Sequence, residues 1–193
     1  MARLETWFPT AIYLEDNLFD NAQNLEWKTY CIQKTKDYKS GGDEWEGGTF
    51  TSHSSKYNLL EDAKFSPLIN AVTLHVNKFV TMHNSFKKYE CESAWFNLSY
   101  NNNFQEMHTH GESTLSAIYY VATPENSGKL VFEDPREPDM LPIKNITTRN
   151  FLSFVKVGYE PIEGQLIIFR SYLRHMVTVN KCQDPRISIA FNF

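Results

Sequence analysis

No pair of cysteines in this sequence is spaced to hold a metal or to form an obvious disulfide framework. Cys31, Cys91 and Cys182 are far apart, odd in number and free of any CxxC spacing. They read as reduced thiols, which points to a cytosolic protein. Also missing is any run near the ~20 apolar residues of a membrane span. The opening Met1-Ala2-Arg3-Leu4-Glu5-Thr6-Trp7 carries no apolar core of signal-peptide length, so the expected location is cytoplasmic, with no membrane partner. A basic excess is absent as well. Nineteen Lys and Arg stand against 23 Asp and Glu, for a net charge of −4, which gives no electrostatic case for a nucleic-acid partner. There are no internal repeats, low-complexity tracts or linkers. The 193 residues, 41% hydrophobic and 15% aromatic, suit one globular domain, 1–193, with an aromatic-rich core.

The hydrophobic period changes part-way along the chain. Residues 4–14 mix aromatic and β-branched types around Pro9, as in an edge strand or short strand pair. Asp20 can cap a helix starting near Asn21, with Leu25, Trp27, Tyr30, Cys31 and Ile32 as its apolar side and basic residues gathered towards its end. Ser40-Gly41-Gly42-Asp43 stops it, and residues 43–58 read as a loop or hairpin with Trp45 packed on the core. Ser66-Pro67 then opens a second helix, serine as its cap, with Leu68, Ile69, Val72, Val76, Phe79 and Val80 at helical spacing up to about Asn84.

From Glu92 the period becomes two. Candidate strands are Ser93–Tyr100, Phe104–His110, Leu115–Ala122, Lys129–Glu133, Phe151–Val157, Gln165–Phe169, His175–Val179 and Ile187–Phe193, separated by turn signals. The expected fold is α+β and mostly β: a jelly-roll core over 93–193 supported by helices in 1–92.

One stretch carries chemistry. Glu106-Met107-His108-Thr109-His110-Gly111-Glu112 places two histidines and a carboxylate at alternate positions. In an extended chain these face one point, and three such ligands suit a divalent first-row metal. Downstream, the apolar strand Leu166-Ile167-Ile168-Phe169 ends shortly before His175, and Arg186 opens the last strand with Ser188 two residues on, sharing its face.

The ordered set His108-Thr109-His110, Leu115-Ser116-Ala117-Ile118-Tyr119-Tyr120-Val121, Ser127-Gly128-Lys129-Leu130-Val131-Phe132, Gly164-Gln165-Leu166-Ile167-Ile168-Phe169, His175 and Arg186 resembles the Fe(II)- and 2-oxoglutarate-dependent dioxygenases. The likeness is to their prolyl-hydroxylase-like branch, and to a bacterial and phage subfamily within it. The resemblance implies a double-stranded β-helix, Fe(II) as cofactor, 2-oxoglutarate and O2 as co-substrates, and hydroxylation of a C–H bond in a small molecule or protein side chain, with release of succinate and CO2. It implies His108, His110 and His175 as metal ligands, Arg186 as the clamp on the distal carboxylate with Ser188 as helper, and the strand face of Ser116, Ile118 and Tyr120 as a wall of the 2-oxoglutarate pocket. The family's usual second ligand is a carboxylate where this chain has His110. A second register, His110 with Glu112 in place of His108, would restore it.

Two other classes stay open on the sequence. A cupin-type metal protein or isomerase also places H-x-H and a later histidine on a jelly roll, but has no need of Arg186. A binding module with a vestigial site would share the fold. Substrate selection falls to residues 43–58 and 134–150, with Trp45, Arg136, Arg149 and Tyr172 as candidates to line the entrance.

Overall fold

Strand alternation in the second half builds two facing antiparallel sheets, and the first half covers one of them. The computed structural model describes residues 2–42, 45–136 and 145–193. Its strands are β1 (Ile12–Glu15), β2 (Phe50–Thr51), β3 (Ser93–Ser99), β4 (Gln105–His108), β5 (Leu115–Ala122), β6 (Leu130–Glu133), β7 (Lys156–Tyr159), β8 (Leu166–Arg170), β9 (His175–Val177) and β10 (Arg186–Asn192). Two long helices, α1 (Asn21–Asp37) and α2 (Ser66–Met82), lie before β3. One sheet has the order β1-β8-β5-β10-β3-β2 and the other β4-β9-β6-β7. This is the expected mostly-β architecture with helices on the amino-terminal side, a jelly roll.

Every residue of β5 is buried, because both faces of its sheet are covered. Ala117, Tyr119 and Val121 join Leu166, Ile168, Ile187, Ile189 and Phe191 in a core shared with Trp27 and Cys31 of α1 and Leu68, Val72, Val76 and Phe79 of α2. The alternate residues Ile118, Tyr120, Ile167 and Phe169 turn the other way and meet Leu130, Phe132, Leu173 and Val177 between the sheets. Period-two alternation therefore divides each central strand between a helix-facing core and a cavity-facing side.

Local chemistry accounts for the element ends. The Asp20 side chain accepts from the Gln23 N–H at 2.9 Å, capping α1 as expected, and Lys34 and Lys36 sit in its last turn. The helix ends at Asp37, just before Ser40-Gly41-Gly42. Its buried face is Asn24, Trp27 and Cys31, whereas Leu25 is exposed. The i, i+3, i+7 row decides the face, and Leu25 falls off it. Ser66 does not cap α2. It is the first helical residue, and the preceding turn Ala63–Phe65 feeds straight into the helix with Phe65 already near helical backbone angles.

Most expected strands shift by a residue or two at their ends, and two differ more. Phe151 and Phe154 are exposed in a turn segment, and β7 runs over Lys156–Tyr159 instead, paired with β6. β4 stops at His108, so His110 lies beyond it. The amino-terminal strand is β1, an edge strand on β8, with Trp7 and Phe8 exposed before it. Of the expected loops, 43–58 contains the two-residue β2, and Asp43 and Glu44 lie outside the described residues. Residues 137–144 of the expected loop at 134–150 lie outside them too. No described helix is long and apolar enough to cross a membrane.

Trp27 joins the helical layer to the sheet. It is fully buried, donates its indole N–H to the Lys64 carbonyl at 3.1 Å and packs against Phe19, Phe65 and Tyr119. Trp27→Ala should lower unfolding stability by about 3–5 kcal/mol, read as a shift of the urea midpoint at unchanged slope.

Candidate metal centre

Between the sheets lies a cavity of about 410 Å³, open to solvent, lined by β3, β4, β5, β8, β9 and β10. Three histidines converge at one end. His108 and His175 face each other in the β4–β9 ladder, which is irregular between Gln105 and His108. His110, past the strand, is held by its backbone N–H to the Ser171 carbonyl at 3.0 Å. One ligand atom from each ring lies within 4.8 Å of the others.

The lone pairs are aimed in advance. His108 Nδ1 lies 2.8 Å from the Glu106 carbonyl and His175 Nδ1 lies 2.9 Å from the Leu173 carbonyl. A carbonyl only accepts, so each Nδ1 carries the proton and each Nε2 is left bare. Burial keeps the rings neutral. It pushes the His175 pKa down to about 3 and the His110 pKa down to about 4, and neighbouring His108 lowers both further, while contact with Asn192 partly offsets the fall at His110. Burial also lowers the His108 pKa, against a smaller upward pull from Glu106. Trp95 stacks on His110 with ring centres 5.6 Å apart, and Trp45 stands edge-on to His108 at 5.1 Å. Three neutral imidazoles, two of them oriented by backbone carbonyls, match the donor preference of a first-row divalent metal.

Glu112 is not in this cluster. Ser113 N–H bonds back to the His110 carbonyl at 3.0 Å, and the turn so closed leaves Glu112 exposed. The alternation expected across 108–112 breaks at Gly111.

At the other end of the cavity is Arg186. It is 3% exposed, yet its Nε has no hydrogen-bond partner among the described residues. No ion pair to it occurs among the described carboxylates. The guanidinium donates to Ser188 Oγ at 3.3 Å and lies 5.1 Å from the centre of the Tyr120 ring. The Tyr120 hydroxyl is likewise buried and unpartnered. Burial raises its pKa, with Arg186 pulling the other way. A buried cation with no counterion is costly unless an anion joins it, so this end suits an anionic ligand.

The two ends are joined along β10. Arg186, Ser188 and Ala190 line the cavity in turn. Ser188 is opposite Asn97 of β3 and Tyr120 of β5, and Ala190 is opposite Trp95 and Ile118. Small residues on the central strand between larger neighbours leave a groove from the arginine to the histidines. Ser116 belongs to the histidine end. Its hydroxyl is 2.8 Å from Ser171 Oγ and donates to Asn192 Oδ1 at 3.0 Å, so its hydrogen bonding is taken up by the protein.

Of the residues expected at the entrance, Trp45 touches the site. Arg136 is paired with Asp134, Arg149 donates to the Ser153 carbonyl at 2.7 Å, and Tyr172 is exposed near Arg170. The sequence reading overlooked Trp95, Asn97, Gln105 and Asn192. For the first two a signal existed: Trp95, Asn97 and Ser99 alternate with apolar Phe96 and Leu98, a strand whose polar face has to be turned inward.

A jelly roll with three converging histidines and a buried arginine in one groove suits a metal-binding protein that also takes an anionic ligand. The chain belongs to the family described as "Putative 2OG-Fe(II) oxygenase", whose model matches residues 93–192. It is therefore a non-haem oxygenase with Fe(II) as cofactor and 2-oxoglutarate as co-substrate. No curated protein matches the chain by sequence. Among solved structures it is similar to a prolyl-4-hydroxylase from Pseudomonas putida, with 14% identity, TM-score 0.62 and coverage of 95% of this chain and 92% of that one. It is also similar to the viral collagen prolyl hydroxylase of Paramecium Bursaria Chlorella virus-1 in its 2-oxoglutarate complex, with 12% identity, TM-score 0.62 and 94% of each chain covered. A third similar structure is HygX of Streptomyces hygroscopicus with nickel, 2-oxoglutarate and hygromycin B, with 9% identity, TM-score 0.62 and coverage of 94% and 82%. At these identities the likeness is one of fold.

The unpaired arginine has a measurable cost. In metal-free protein without co-substrate, Arg186→Met should raise stability by about 1–4 kcal/mol, seen as a higher urea midpoint. A lower midpoint would show that the cation is already compensated.

Proposed function

We propose that this oxygenase hydroxylates a C–H bond of a small molecule or a protein side chain, with His108, His110 and His175 holding the iron. The supporting observation is the convergence of three neutral imidazoles at one end of a groove whose other end is an arginine uncompensated among the described residues. Bound Fe(II) and 2-oxoglutarate supply the oxidation, in which O2 and 2-oxoglutarate give succinate and CO2 and the second oxygen atom enters the C–H bond as hydroxyl.

The protein's part is placement. Arg186 and Ser188 take the distal carboxylate, with the Tyr120 hydroxyl as a further donor. The groove over Ser188 and Ala190 directs the keto-acid end towards the histidines. The Glu106 and Leu173 carbonyls fix the rings of His108 and His175. The Ser116–Ser171–Asn192 network supports the His110 side, so Ser116 acts on the metal end of the pocket. Trp45 and Trp95 cover the rings and limit water at the centre. Three neutral ligands leave the metal with its full double charge, offset only by the co-substrate's carboxylates. The helical segment 1–92 and the jelly roll 93–193 act as one domain, a reading supported by the core that they share. Arg186 weighs against a cupin-type protein, which has no use for it.

Iron content separates the two ligand registers. His108→Ala and His175→Ala should each lose most of the bound Fe(II), and Glu112→Ala should retain it; loss in Glu112→Ala with retention in His108→Ala would reverse the assignment. Wild-type protein with Fe(II), 2-oxoglutarate and O2 should release succinate slowly even without substrate. It should also melt at a higher temperature when the unreactive mimic N-oxalylglycine is present, and Arg186→Ala should abolish that shift.

A further inference from the structure

Two of the three histidines take their ring orientation from nearby backbone carbonyls, Glu106 for His108 and Leu173 for His175. His110 has no such carbonyl on its ring among the described residues, and it lies past the end of β4, outside the ladder that aligns the other two. Trp95 stacks on it with the planes 23° apart. Stacking fixes the plane of the ring but survives a half-turn, which exchanges a nitrogen for a carbon along each edge. A directional hydrogen bond has to make that choice.

The side chain placed to do so is Asn192. Arg186, Ser188 and Ala190 line the cavity at alternate positions of β10, and Asn192 follows at the next one, at the histidine end. It is opposite Ser116 of β5 and Ser93 of β3. Its Oδ1 accepts from the Ser116 hydroxyl at 3.0 Å, Ser116 Oγ lies 2.8 Å from Ser171 Oγ, and the Ser171 carbonyl accepts from the His110 backbone N–H at 3.0 Å. The Asn192 side chain also hydrogen-bonds the His110 ring. The contacts therefore close on themselves, from the ring through Asn192 and two serines to the backbone of the same residue. The Ser116 hydroxyl sets the amide with its oxygen on this side, and an amide oxygen has lone pairs for two donors.

We infer that Asn192 is the positioning residue of His110: its carboxamide oxygen accepts the N–H of one ring nitrogen and leaves the other bare for the metal. This rests on the proposed use of His110 as a ligand. Asn192 does for His110 what the Glu106 and Leu173 carbonyls do for the other two rings. The need arises because His110 sits in a turn, where no neighbouring strand offers a carbonyl to the ring. One strand, β10, then carries the buried cation at one end of the groove and the support of a metal ligand at the other.

The test is Co(II) binding to metal-free protein, followed by titration and by proton NMR. Bound Co(II) moves the ring N–H signals of its histidine ligands out of the normal spectral range, and an N–H held by an acceptor exchanges slowly with water. Wild-type protein should show three such signals. Asn192→Leu should lose one, keep the other two and bind Co(II) about tenfold more weakly. Asn192→Asp keeps an acceptor in place; it should retain all three signals and bind Co(II) more tightly than wild type, an outcome that a damaged fold does not give. Three slow signals in Asn192→Leu, or a signal missing from Asn192→Asp, would overturn the role. His110→Ala tests the underlying assignment on its own. If it binds Co(II) as wild type does and keeps all three signals, His110 is not a ligand and both readings fall. If it loses a signal and affinity while Asn192→Leu loses neither, only the positioning role fails.

Discussion

A guanidinium buried without a counterion among the described residues governs this molecule. Arg186 opens β10, the strand held between β3 and β5 at the middle of the larger sheet, and its Nε finds no partner among those residues. Desolvating an isolated charge costs several kcal/mol even after relaxation. The fold bears that cost because β3, β5, β8 and β10 pack two layers of apolar side chains, one against the helices and one inside the jelly roll. The helices therefore matter to the chemistry at one remove: by covering the outer face of the sheet, they free its inner face to carry polar and small residues.

Both ends of the groove are prepared before any ligand arrives. At the histidine end, backbone carbonyls of Glu106 and Leu173 set the tautomers of His108 and His175, and burial holds the pKa values of the three rings below the ordinary imidazole range. The usual carboxylate ligand of the family has given way to His110 in the reading proposed here. Charge balance is thereby shifted from protein to co-substrate: two carboxylates face a doubly charged metal and one arginine. Such a site is completed, electrostatically as well as geometrically, by the dianion it is built to bind.

Much of this was legible in the sequence, for identifiable reasons. His108, His110, His175 and Arg186 stand next to strong strand and turn signals, so their order along the chain could be matched to a known pattern. The two helices were visible through Asp20 as a cap and the 3.6-residue spacing of Leu68, Val72, Val76 and Phe79. Elsewhere, local pattern and tertiary outcome parted. Glu112 looked like a third ligand by alternation, but the hydrogen bond from Ser113 to His110 turns the chain before it. Phe151 and Phe154 have strand character, yet they are exposed and the strand forms later. Leu25 is apolar and on a helix but off the buried row. Asn97 alternates with apolar Phe96 and Leu98, which turns it inward, but only the register with Ser188 and Tyr120 shows that it shares a face with the arginine.

The central claim is that the three histidines and Arg186 hold metal and keto acid together in one cavity. The most direct measurement is an anaerobic titration of 2-oxoglutarate into Fe(II)-loaded protein, followed by visible absorption. A keto acid chelated to Fe(II) gives a metal-to-ligand charge-transfer band. The account predicts such a band saturating at one equivalent, lost in His175→Ala and shifted to much higher 2-oxoglutarate concentration in Arg186→Ala. Absence of the band in iron-loaded wild-type protein, or its persistence at the same concentration in Arg186→Ala, would contradict it.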